Sequence, residues 1–139
     1  MYIMRSSDRS ALNKAYLMAS DLTNSKLMIK QELEKMKKYF FPSYEEVAYN
    51  KDKFYYAFIS GMACFFEAHS LEETIELAAD LKREFIVTLI AVTIAKAFYL
   101  YSSTSEDYIN SCFKRYNVDL TYKDIIDFED FILYKKGGE

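Results

Sequence analysis

The side chains able to do chemistry in this sequence are few. His69 is the sole histidine, and Cys64 and Cys112 are the sole cysteines. A metal centre draws on several His, Cys, Asp or Glu ligands at set spacings, which one imidazole and two distant thiols do not supply. Nucleophilic catalysis by Ser or Cys needs a base beside the nucleophile, and His69 has none at a familiar spacing. Loops that cradle phosphates need glycines, and none of the three glycines lies in such a loop. Acidic pairs occur at Glu72/Glu73 and Glu129/Asp130. Neighbouring positions on a helix point apart, so these read as solvated faces. Asp124, Asp127 and Asp130 recur at three-residue intervals. A metal-dependent enzyme built on the acidic segment 122–136 therefore stays open as an alternative, but the main expectation is a non-enzyme without a cofactor.

Binding is the chemistry that remains. Residues 1–38 carry eight cations (Arg5, Arg9, Lys14, Lys26, Lys30, Lys35, Lys37, Lys38) and four acids (Asp8, Asp21, Glu32, Glu34), a net +4. The whole chain is at −3, so the other 101 residues sum to −7. Such asymmetry points to an anionic partner for the basic part, or to an ordinary solvated face. Lys26, Lys30, Lys37 and Lys38 fall along one side of a helix, a row suited to backbone phosphates. Arg5, Arg9 and Lys14 join them as candidate nucleic-acid-binding residues. Aromatic residues flank cations in KKYFF (37–41), KDKFYY (51–56) and FKRY (113–116), and base stacking on such rings contributes about 1–3 kcal/mol per base.

The elements that must position these groups are helical. Three Gly and one Pro in 139 residues argue against an all-β fold, and 51% apolar residues suffice for one core. The expectation is a single all-α domain over 1–139, a compact bundle of five to seven helices. A first helix runs from Ser6 or Ser7 to about Leu22, with Ala11, Leu12, Ala15, Tyr16, Ala19 and Leu22 at helical spacing. Thr23 or Asn24 caps a second, which turns Leu27, Leu33, Met36 and Phe40 inward and its lysines outward, and which Pro42 ends. Ser43 to Glu46 has the spacing of a capping box. A third helix spans Asp52–Ala68, where Gly61 marks a close helix crossing. Ser70-Leu71-Glu72-Glu73 is a capping box that opens a helical pattern reaching about Tyr101, interrupted near Lys82. Ser105 caps a helix over Glu106–Tyr116, and Thr121 with Asp124 caps a last one ending at Gly137.

The run 85–101, FIVTLIAVTIAKAFYLY, is uncharged from Phe85 to Ala95, only eleven residues, where a membrane span needs about 20. It reads instead as the central helix of the bundle, apolar all round because neighbours enclose it. Thirteen Tyr and eleven Phe exceed what so small a domain can bury, so some lie at the surface, as a partner contact or as half-buried tyrosines with wet hydroxyls. Without a CxxC pair or an apolar leader, the expectation is a cytoplasmic protein with reduced, buried thiols, a Cys64–Cys112 disulfide remaining the alternative.

Three stretches, LTNSKLMIKQELEKM (22–36), KFYYAFISGM (53–62) and AKAFYLY (95–101), are similar to the small helical subunit of CRISPR-associated interference complexes, the type III ones in particular. That resemblance implies a non-catalytic helical bundle that stacks along the guide–target duplex of an antiviral ribonucleoprotein and contacts other subunits. Lys26 and Lys30 would face the nucleic-acid backbone, with Lys37 and Lys38 extending that face. Self-association and binding to RNA or another single strand follow as expectations. The contrasting reading is a protein-binding helical module, either a scaffold or a groove of the Bcl-2 kind that holds a partner helix. The Asn-Trp-Gly-Arg signature of that family is absent here.

Overall fold

The computed structural model of the chain describes residues 6–40, 53–81, 85–99 and 106–133, with side chains at 9–35, 57–81, 85–99 and 106–133. These residues form seven helices and no strand: α1 (Ser6–Ala19), α2 (Lys26–Phe40), α3 (Lys53–Glu67), α4 (Leu71–Asp80), α5 (Phe85–Phe98), α6 (Glu106–Arg115) and α7 (Tyr122–Leu133). The all-α bundle read from the sequence is the observed class. The capping box at 43–46, the cap at Ser105 and the stop at Gly137 lie outside the described residues.

The middle of the bundle is α5. Twelve of its fourteen residues are buried, and α1, α3, α4 and α7 all pack against it. Its lack of a polar face is thus a consequence of being enclosed. No helix among the described residues is long and apolar enough to cross a membrane. The tightest contact is with α3, through Gly61. A Cβ placed there would sit 2.9 Å from Ile90 Cγ2 and 3.1 Å from the Val87 carbonyl oxygen. The missing side chain lets the two backbones approach, as the close-crossing reading of Gly61 requires.

Local chemistry sets the helix ends. Ser70 Oγ accepts from the Glu73 N–H at 3.1 Å, starting α4. The Glu73 carboxylate does not close the box; it faces His69 Nδ1 at 3.2 Å. At α7 the Thr121 N–H donates to Asp124 Oδ2 at 2.8 Å. The end of α6 is a Schellman turn: Val118 N–H reaches back to the Phe113 carbonyl at 2.8 Å, and Asn117 takes a left-handed φ of 59°. Asn110 Oδ1 then accepts from the Tyr122 N–H at 2.8 Å, docking the start of α7 on α6.

Two expectations near the first turn are corrected. The first helix stops at Ala19, so Leu22 leaves the buried stripe and is exposed. The cap of α2 is Ser25, whose Oγ accepts from the Met28 N–H at 3.2 Å. Thr23 and Asn24 are otherwise engaged, both donating to the Asp21 carboxylate. These bonds hold the Asp21 carboxyl below its ordinary pKa.

Gly61→Ala is expected to lower stability by about 1–2 kcal/mol, because overpacking outweighs the helix propensity gained. Combined with Ile90→Ala, its cost should fall by about 1 kcal/mol relative to additivity. Thermal denaturation of the four proteins checks this; additive losses would mean that the crossing is looser than the geometry requires.

Candidate binding surfaces

The two members of the candidate basic row whose side chains are described, Lys26 and Lys30, do not face outward as the row requires. On α2 the inward stripe is Lys26, Ile29, Lys30 and Leu33, at i, i+3, i+4 and i+7, with Ile29 and Leu33 buried. Leu27, expected inside, is exposed together with Met28. Leu33 is inward as expected, so the departure lies in the first turn of α2, where Lys26, Ile29 and Lys30 take the inward side in place of Leu27.

Aromatic rings at the far end of α5 explain that placement. Phe65 of α3 meets Phe98 edge-on at 5.1 Å, and Phe98 meets Tyr99 edge-on at 4.8 Å. Both lysines reach over this cluster, Lys26 Nζ lying 4.7 Å from the Phe98 ring centre and Lys30 Nζ 5.2 Å from that of Phe65. Ring faces are negative, so they attract ammonium groups, while the four-carbon stems cover apolar surface. Lys30 also donates to the Ala68 carbonyl at 3.0 Å, a group that α3 leaves free at its end. Burial holds the Lys30 pKa below its ordinary value, against an opposing pull from Glu73. Lys26 Nζ has no hydrogen-bond partner. These two cations hold α2 to the bundle and do not form an outer phosphate-facing row.

Of the other candidates, Arg9 and Lys14 are described, both on α1. Arg9 lies over the Phe131 ring at 5.2 Å, and its Nε donates to the Phe131 carbonyl at 2.8 Å. Asn13 donates to the Ile132 carbonyl at 3.0 Å, so α1 satisfies two carbonyls at the end of α7. Lys14 is exposed. The side chains of Arg5, Lys37 and Lys38 lie outside the described residues.

The acidic pairs are not simply solvated faces. Glu129 Oε2 accepts from Lys96 Nζ at 3.1 Å and from the Tyr16 hydroxyl at 2.7 Å. The Lys96 and Glu129 side chains are 11% and 13% exposed, so this is a buried ion pair joining α5, α7 and α1. Burial, then the bond to Glu129, pushes the Tyr16 hydroxyl pKa far above its usual value. Glu72 Oε2 accepts from the Tyr116 hydroxyl at 2.8 Å and from Arg115 at 2.7 Å, tying α4 to α6 and lowering its own pKa. Of the three spaced acids, Asp124 caps α7 and Asp127 pairs with Lys123 at 2.9 Å. Among the described residues no cluster of His, Cys, Asp and Glu could hold a metal ion. Cys64 and Cys112 are buried and free, which excludes the alternative disulfide. Burial raises the Cys64 pKa to about 11.

The feature sequence reasoning missed is apolar. Leu17 (54% exposed), Leu22 (74%), Leu27 (69%) and Met28 (55%) fall within twelve residues where α1 leads into α2. The exposed aromatic residues among those described, Phe85, Tyr108 and Phe131, are scattered over three helices. Apolar residues crowded on one exposed corner mark a contact, whereas isolated ones are ordinary. The signal was available in the run Lys26-Leu27-Met28-Ile29-Lys30, which cannot place all three apolar residues inward at once.

No family model matches the chain, and no curated protein or solved structure matches it.

Lys30→Met keeps the stem but removes the bond to Ala68, and should cost about 1–2 kcal/mol. Lys14→Met and Lys35→Met, at exposed positions, should stay within about 0.5 kcal/mol of the parent. Thermal denaturation separates the outcomes; an equally silent Lys30→Met would return that lysine to the solvated face.

Proposed function

We propose that this chain is a non-catalytic assembly subunit that binds another protein through the apolar corner between α1 and α2. One observation carries the reading: of the eight large apolar side chains exposed among the described residues, four stand within twelve consecutive residues, 17–28. Water-exposed apolar area of that kind is stabilised when a partner covers it, at about 25 cal/mol per Å² removed from water. The carboxylates support the same reading, since Glu129, Glu72 and Asp124 are each engaged in joining or capping helices.

The role of a CRISPR-type ribonucleoprotein subunit, which the resemblance suggested, agrees with a non-catalytic helical scaffold. Its nucleic-acid face is the weaker part. With Lys26 and Lys30 directed onto Phe98 and Phe65, a phosphate contact would fall to the other basic residues near the N-terminus. Lys35, exposed on α2, already pairs with Glu32 at 3.0 Å. We therefore favour protein binding over RNA binding.

Size-exclusion chromatography with light scattering, with and without single-stranded RNA, tests the choice. The proposal expects no RNA-dependent gain in mass at low or at moderate salt. A mass shift on adding RNA that weakens steeply with salt would overturn it, because counterion release is the signature of phosphate binding.

A further inference from the structure

We infer that the partner seated on the α1–α2 corner is a second copy of this chain, related by a two-fold axis. This rests on the protein-binding reading above and specifies its occupant. The charges beside the apolar residues carry the inference. On α1, Lys14 lies one turn before Leu17 on the exposed side. On α2, Glu34 lies two turns beyond Leu27, a spacing that keeps the two on one side of the helix. Among the described residues neither Lys14 nor Glu34 has an ion-pair partner, whereas the neighbouring Glu32 and Lys35 satisfy each other. The corner thus has apolar side chains at its centre, a cation on the α1 side and an anion on the α2 side, neither paired among the described residues.

That arrangement is self-complementary. A two-fold operation about the corner brings the α1 side of one copy against the α2 side of the other. Leu22 and Leu27 then cover their counterparts, and each Lys14 meets the Glu34 of the other copy, so two ion pairs form at the rim. A partner of uniform charge would satisfy one of the two side chains and repel the other. The chain's net charge of −3 opposes association of two copies only weakly.

Sedimentation equilibrium of the full chain, without RNA and at concentrations up to about 200 μM, tests the pairing. The wild type is expected to approach twice its monomer mass in a concentration-dependent way. Leu22→Ser with Leu27→Ser should raise the dissociation constant by tenfold or more while leaving the melting temperature nearly unchanged, since both positions are exposed. Lys14→Glu and Glu34→Lys should each weaken the dimer by about two- to five-fold, and combining them should restore it. A chain that stays monomeric throughout overturns the self-pairing. A dimer indifferent to the two leucine changes overturns the use of this corner. A dimer that needs the leucines but is not restored by the double charge swap overturns the two-fold register. The RNA experiment judges the protein-binding reading separately, so failure of either inference is recognised by itself.

Discussion

Lys96 places a charge inside a helix that neighbours enclose, and the bundle is arranged around satisfying it. In low-dielectric surroundings an unpaired ammonium costs several kcal/mol. Glu129 supplies the counter-charge, and the Tyr16 hydroxyl donates to the same carboxylate oxygen. One carboxylate thereby fixes the relative placement of α1, α5 and α7. The Arg9 and Asn13 bonds to the last carbonyls of α7 reinforce the same docking from the other end of α1. Apolar packing alone would let these helices slide or rotate; a buried pair with fixed bond directions does not.

The other end of α5 poses a related problem. Phe98 and Tyr99 form an aromatic cluster with Phe65, and α2 covers it with two lysines. The interaction uses ring faces and stems, which carbon surface alone would not distinguish from an ordinary apolar stripe. Its consequence for function is direct. Charge spent on the fold is not offered to a ligand, and with Lys26 and Lys30 on the inner side, Leu27 and Met28 face solvent. Lys26 and Lys30 inward and Leu27 and Met28 outward are one and the same placement of α2.

Much of the architecture was legible in the residues, because its causes are local. The helix at α3, the uninterrupted apolar run of α5, the Ser70 and Thr121 caps and the need for Gly61 follow from spacing within a few turns. What escaped detection depends on distant partners. The phase of α2 is ambiguous by itself, since Lys26, Leu27, Met28, Ile29 and Lys30 allow two stripes, and the deciding Phe98 lies some seventy residues away. Glu129 beside Asp130 looks like a solvated pair until Lys96 and Tyr16 are folded against it. Leu22 looked like the last member of a buried stripe, but the helix ends at Ala19 and the Asp21 turn carries Leu22 outward.

The central claim is that Lys26 and Lys30 belong to the interior of the bundle. Their ε-methylene resonances test it most directly, in a ¹H–¹³C spectrum of the folded chain assigned by substitution. The account predicts upfield displacement of both by the rings of Phe98 and Phe65, and titration of Lys30 below the ordinary lysine value. Both sets at free-lysine positions, with Lys30 titrating normally, would contradict it and restore α2 as an outward basic face.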